Sequence, residues 1–124
     1  MSKISWIILI VCSVSLTAAI LVFGKSRDPS YESLDSFATC LADQGAVMYG
    51  ADWCPHCKRQ KELFGDSFRL VKYIECPQNN QLCTDKKIES YPTWEFASGA
   101  RLEGEQSIAV LAEKANCPLP PIKR

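Results

Sequence analysis

The chain begins with a long, unbroken apolar stretch and then changes rhythm. Residues 4–23 carry no charge, and beyond residue 30 the apolar positions fall into short runs and helical spacings. Leu34, Phe37, Ala38 and Leu41 recur every three to four positions, which predicts a helix over 31–44, ended by Gly45. The apolar run 46–50 predicts a short buried strand. A second helix is expected from the cysteine-rich segment beginning at Cys54 to about Phe64, closed by Gly65. Residues 70–75 predict the next strand and 80–88 a short helix. Residues 93–97 and 101–104 predict two strands joined by a turn at Ser98-Gly99. Ile108, Leu111 and Ala112 mark one face of a last helix over 107–115, stopped by Pro118. The expected order is helix, strand, helix, strand, helix, strand, strand, helix, an α/β pattern without internal repeats.

The opening stretch has its own meaning. A helix of about 20 residues spans about 30 Å, the thickness of a bilayer's hydrocarbon core. The expected organisation is a cytoplasmic N-terminus (1–3), a transmembrane anchor (4–23), a linker (24–30), one domain (31–117) and a tail (118–124). A cleaved signal peptide is the rival, but its apolar region is usually about 7–15 residues long. Thr17-Ala18-Ala19 is a weak cleavage site, and Ile20-Leu21-Val22-Phe23 continues the run past it. A lipid anchor on Cys12 needs a small residue before the cysteine, where Val11 stands.

Lys3 before the segment and Lys25 and Arg27 after it nearly balance the positive-inside rule. Cysteines decide the side. Beyond Cys12 the chain carries Cys40, Cys54, Cys57, Cys76, Cys83 and Cys117, an even and dense set that suits an oxidising compartment. The domain is therefore expected on the periplasmic, extracellular or plastid-lumenal side. Fourteen basic and fourteen acidic residues balance, which gives no reason to propose nucleic acid as a partner. No dimerisation segment is visible, so a monomer is expected.

The candidate chemistry lies in Trp53-Cys54-Pro55-His56-Cys57. Pro55 suits a first helical turn because its missing N–H would have had no partner there. Cys54 then stands at a helix N-terminus, where free N–H groups and the helix dipole favour a thiolate. The thiolate is the form that attacks a disulfide. A charged or hydrogen-bonding His56 would favour it further. Stabilising the reduced form makes the disulfide a stronger oxidant. Cys57, one turn on, is the expected resolving thiol. No bound cofactor is expected; the redox group is the Cys54–Cys57 disulfide itself. Pro92, thirty-five positions after Cys57, lies in Tyr91-Pro92-Thr93. A cis peptide before Pro92 would leave neighbouring backbone groups free to pair with a substrate chain. Trp53, Tyr91 and Thr93 are the candidate substrate-binding residues, with Pro92 beside the pair.

Other readings stay open at this point. Cys54, Cys57, Cys76 and Cys83 form a conceivable zinc set, although six residues separate the last two rather than the two of common ribbon spacings. A purely structural disulfide within the Cys-x-x-Cys is another alternative, and the protein would then be a non-enzymatic binding module. Cys76 and Cys83 bracket a polar loop and read as a structural disulfide or as a second pair relaying electrons. Cys40 and Cys117 are left as partners by elimination among fifteen pairings.

The Cys-Pro-His-Cys motif followed by Tyr91-Pro92-Thr93 and two short strands resembles the thioredoxin superfamily, with the Pro-His of its DsbA-type oxidases. The stretches 45–51, 61–65 and 89–94 resemble the thioredoxin-like domain fused to bacterial and plastid vitamin K epoxide reductase homologues, over roughly 37–117. Glu75-Cys76 and Cys83 resemble that domain's extra cysteine pair. The resemblance implies a central mixed sheet flanked by helices, trimmed of the usual first strand, behind one transmembrane helix. It implies a thiol–disulfide oxidoreductase that takes electrons from substrate proteins with cysteine pairs. A quinone-coupled membrane partner of the vitamin K epoxide reductase or DsbB type would receive them, because the four-helix quinone-reducing domain is absent here. Cytoplasmic thioredoxins carry a buried acid in the strand before the motif; the matching position is Met48, which weakens a reductase reading. A reductase or isomerase of the same fold, supplied with electrons through the membrane, is the alternative within the family.

Overall fold

The computed structural model describes residue 31 and residues 33–123. The expected anchor and linker lie outside the described residues. Among the described residues no helix is long and apolar enough to cross a membrane.

Helix α1 (Asp35–Asp43) buries Phe37, Ala38 and Leu41, as its spacing dictates. It begins later than the periodicity predicts, because Tyr31 is drawn into an isolated antiparallel bridge with Ile122. Gly45 then turns the chain at φ 75°, and a Cβ there would lie only 3.1 Å from that of Ala97. Strand β1 (Val47–Gly50) leads to helix α2 (Pro55–Phe64), which Cys54 caps and Gly65 ends at φ 55°. A 3-10 turn over Gly65–Leu70 follows, and it takes Leu70 out of the expected strand. Strand β2 (Lys72–Glu75) therefore starts two residues late.

A second 3-10 turn (Cys76–Gln78) and a short helix α3 (Asn80–Asp85) lead to the hairpin of β3 (Thr93–Glu95) and β4 (Arg101–Glu103). Helix α3 is shorter than its apolar pattern suggests, since Lys87 adopts a left-handed φ of 53°. Helix α4 (Ile108–Ala115) opens with the Ser107 hydroxyl accepting a hydrogen bond from the Val110 N–H. It stops at Asn116, in the left-handed conformation, before Pro118 is reached.

The sheet order is β2-β1-β3-β4, with β1 parallel to β2 and the other pairs antiparallel. This mixed sheet with flanking helices fits a thioredoxin-like fold. Successive strand residues face opposite sides, and β1 shows it. Met48, opposite Trp94, enters the main core with Phe37, Leu41, Phe64 and Leu111. Tyr49 enters a smaller cluster with Cys76 and Cys83. Phe64 is the hub of the main core, with ring centroids 6.1 Å from Phe37 and 6.0 Å from Trp94. Two disulfides tie the periphery: Cys40–Cys117 joins α1 to the end of α4, and Cys76–Cys83 spans the turn into α3.

Candidate active site

The carboxyl end of β1 delivers the chain to α2 through Ala51-Asp52-Trp53, which places Cys54 at the helix start. Cys54 and Cys57 are free thiols. The two differ in environment. Burial disfavours the Cys54 thiolate, but the Cys57 N–H and thiol, the His56 N–H and the Arg59 guanidinium outweigh it, so its pKa is lowered. Cys57 is wholly buried; burial pushes its thiol up to about 11 despite the Ala51 backbone hydrogen bond. This division suits an attacking thiol paired with one that holds its proton until needed.

The Tyr91–Pro92 peptide is cis. The Tyr91 carbonyl accepts from the Cys54 thiol at 3.7 Å, so this loop faces the nucleophile directly. Trp53 is 67% exposed, and its ring meets Tyr91 edge-on at 6.1 Å, forming an aromatic rim beside the thiol. Pro92 is buried behind it. Thr93 lies on the inner side of this loop. Its side chain is buried and its hydroxyl donates to the Ser90 carbonyl at 2.8 Å, which closes the loop from inside.

The His56 imidazole is turned towards two charged side chains. Its Nδ1 lies 2.8 Å from Glu105 Oε1 and 2.7 Å from Arg59 Nη2, so Glu105 and Arg59 engage the ring. His56 supports the Cys54 thiolate through its main-chain N–H. Arg59 sits one turn after His56, a spacing visible in the sequence. Glu105 lies 46 residues beyond Arg59 on the loop after β4, and no local pattern connects them. Buried Gln60 fixes that loop: its Oε1 accepts from the Gln106 N–H at 2.6 Å and its Nε2 donates to the Gln106 carbonyl at 3.1 Å.

Behind Cys57 lies a second group the sequence reading missed. Glu75 accepts from the Asp52 N–H at 3.0 Å and from the Tyr73 hydroxyl, and Lys61 pairs with Asp52 at 2.9 Å. The four-cysteine zinc set is not assembled, because Cys76 and Cys83 are bonded to each other. Among the described residues no group of three or more His, Cys, Asp or Glu side chains is placed to hold a metal.

No protein-family model matches the chain. Among curated proteins it is similar to thiol-disulfide oxidoreductase LTO1 of Arabidopsis thaliana, at 41% identity over 87 residues, covering 63% of this chain and 23% of the relative. It is similar to protein disulfide isomerase-like 2-2 of Oryza sativa subsp. japonica, at 33% identity over 89 residues, covering 60% and 24%. It is also similar to a protein disulfide-isomerase of Arthroderma benhamiae, at 28% identity over 106 residues, covering 75% and 20%. The chain spans about a quarter of the length of these relatives. Among solved structures, the first thioredoxin domain of mouse protein disulfide-isomerase A4 matches at 21% identity and a TM-score of 0.43, covering 64% of this chain and 67% of that one.

Among curated proteins the chain thus has homologues named thiol-disulfide oxidoreductase and protein disulfide isomerase. Their names support the expected enzyme class, a protein thiol–disulfide oxidoreductase.

Proposed function

We propose that the protein is a membrane-anchored, extracytoplasmic thiol–disulfide oxidase. The observation that carries this reading is the placement of Cys54. It is a free thiol at the start of α2, facing the Tyr91–Pro92 loop and rimmed by Trp53 and Tyr91. In the oxidised enzyme a substrate thiolate attacks Cys54, the Cys54–Cys57 bond breaks, and Cys57 leaves and takes up a proton. The substrate's second thiolate then displaces Cys54, so the substrate gains a disulfide and the enzyme keeps two thiols. A quinone-coupled membrane partner of the vitamin K epoxide reductase or DsbB type removes those electrons. An anchor at 4–23 confines the monomeric domain near that partner and raises its effective concentration there.

Direction rests on the thiolate. The lowered Cys54 pKa stabilises the reduced form, which makes the disulfide the better donor. The disulfide-isomerase names of several relatives favour a second reading, an isomerase or reductase of the same fold. Equilibrating the full chain with glutathione buffers separates the two. A potential of about −120 to −180 mV supports donation, whereas one near about −270 mV favours electron delivery to substrates.

A further inference from the structure

Cys57 has to exchange a proton in every turnover, and it is fully buried. Met48 of β1 is apolar and buried in the main core. Strand β2 supplies what β1 does not. A Cβ on Gly50 would lie 2.8 Å from Cys57 Sγ and 3.2 Å from Tyr73 Oη, so thiol and phenol share the space that only a glycine leaves open. The Tyr73 hydroxyl donates to Glu75 Oε2. Glu75 Oε1 is held by the Asp52 N–H, which orients the carboxylate. Lys61 Nζ lies over the Tyr73 ring at 3.9 Å from its centroid and pairs with Asp52, pinning the ring from the α2 side.

We infer that Tyr73 and Glu75 form the proton path of Cys57. The inference rests on the redox reading of the Cys54–Cys57 pair. When Cys57 resolves a mixed disulfide on Cys54, its thiol proton passes to Tyr73 Oη, directly or through one water, as the phenolic proton passes to Glu75 Oε2. The Cys57 electron pair forms the bond to Cys54 Sγ, the Cys54–substrate bond breaks, and the substrate leaves as a thiolate. When a substrate thiolate opens the Cys54–Cys57 disulfide instead, the proton returns along the same path to the departing Cys57. Burial, then the Glu75 carboxylate, keeps the Tyr73 hydroxyl protonated, so it relays a proton rather than holding a charge. The charged and titratable groups facing this path are Lys61 of α2, Cys54 at its start, Asp52 of the preceding loop, and Tyr73 and Glu75 themselves. Tyr73 and Glu75 are positioning residues that act through Cys57.

The test uses the full chain carrying Cys12→Ser, reduced at Cys54 and Cys57 and mixed with an aromatic disulfide whose thiol product is coloured. The first release reports attack by Cys54; the second, first-order release reports resolution by Cys57. Glu75→Gln keeps the side-chain shape and an acceptor for the Asp52 N–H but sets an amide NH2, a donor, against the Tyr73 hydroxyl and removes the base; Tyr73→Phe keeps the ring and removes the relay. Each is expected to slow the second release by about tenfold or more near pH 7, leaving the first within about twofold. With hydroxide as the remaining base, the second release should steepen with pH and rejoin the unsubstituted rate in alkali. A purely structural role does not produce that change of profile. Second-phase profiles that match the unsubstituted chain in both variants overturn the inference and leave the redox reading intact. An unsubstituted chain that shows no second release defeats the redox reading itself, and the proton path with it.

Discussion

Two cysteine pairs occupy similar places in this fold and differ in state. β1 and β2 run parallel, and each leads into a helical turn bearing a cysteine. Cys54 caps α2, and Cys76 opens the 3-10 turn after β2. Cys54 and Cys57 are free, whereas Cys76 is bonded to Cys83. Burial does not separate them: Cys54 and Cys57 are 5% and 0% exposed, Cys76 and Cys83 2% and 3%. Their neighbours do. Cys54 has the first N–H groups of a ten-residue helix, Arg59, and a carbonyl rim at Tyr91. Cys76 and Cys83 lie in an apolar cluster with Tyr49, Ile74 and Ile88. The contrast teaches that the charge and dipoles around a sulfur, more than its exposure, set the chemistry open to it.

The sharpest way to break the contrast is at the nucleophile. Cys54→Ser should cut disulfide exchange by roughly a thousandfold or more, followed as insulin or model-peptide turnover. Cys57→Ala should retain the first attack and accumulate mixed disulfides on non-reducing gels; cells that yield no trapped species would count against the oxidase reading.

The bonded pairs should answer in stability instead. Cys40 and Cys117 are 77 residues apart, and replacing both by Ala should cost about 4.5 kcal/mol in urea unfolding of the oxidised protein. Cys76 and Cys83 are 7 apart, and the same change should cost about 2.5 kcal/mol while exchange stays within about twofold. A large loss of exchange in the second variant would make that pair a relay and erase the distinction.

Smaller effects lie around Cys54. Its pKa is lowered, so its alkylation rate is at full value above that pKa and falls as pH drops through it. Arg59→Ala removes a cation that favours the thiolate. The fall should then begin at higher pH, with alkylation slowed about threefold near pH 6 and less at high salt. Glu105→Gln should act oppositely and more weakly. It frees Arg59 and His56 from a carboxylate and should raise the rate by about twofold. A slower rate would show that Glu105 holds those groups in a favourable position.

Much of the local structure was legible because it follows local rules. The element order, the proline in the first turn of α2, Gly65 after it and the Ser98-Gly99 turn all appear as expected from spacing and backbone preference. The boundaries moved where distant contacts intervened. Tyr31 pairs with Ile122 rather than extending α1, and Leu70 joins a 3-10 turn rather than β2. In the site, Trp53 and Tyr91 stand at the rim, while Thr93 turns inward because its hydroxyl finds the Ser90 carbonyl. Arg59, Glu105, Tyr73 and Glu75 carried no signal of their own, since charged and tyrosine residues at such spacings are common on any helix or strand.

By itself the sequence determined the periodicities, the helix start at Cys54 and hence the type of chemistry that start favours, because these depend on residues within one turn of each other. Only the tertiary structure decided that His56 faces Glu105, that the Tyr91 carbonyl stands over Cys54, and that Tyr73 and Glu75 lie behind Cys57. Those contacts join residues tens of positions apart. They come together because the parallel pairing of β1 with β2 and the antiparallel pairings of β1 with β3 and β3 with β4 bring the carboxyl ends of β1, β2 and β4 and the amino end of β3 to the same end of the sheet. Strand pairing acts through backbone hydrogen bonds and shared burial, so its outcome is not written in any single segment.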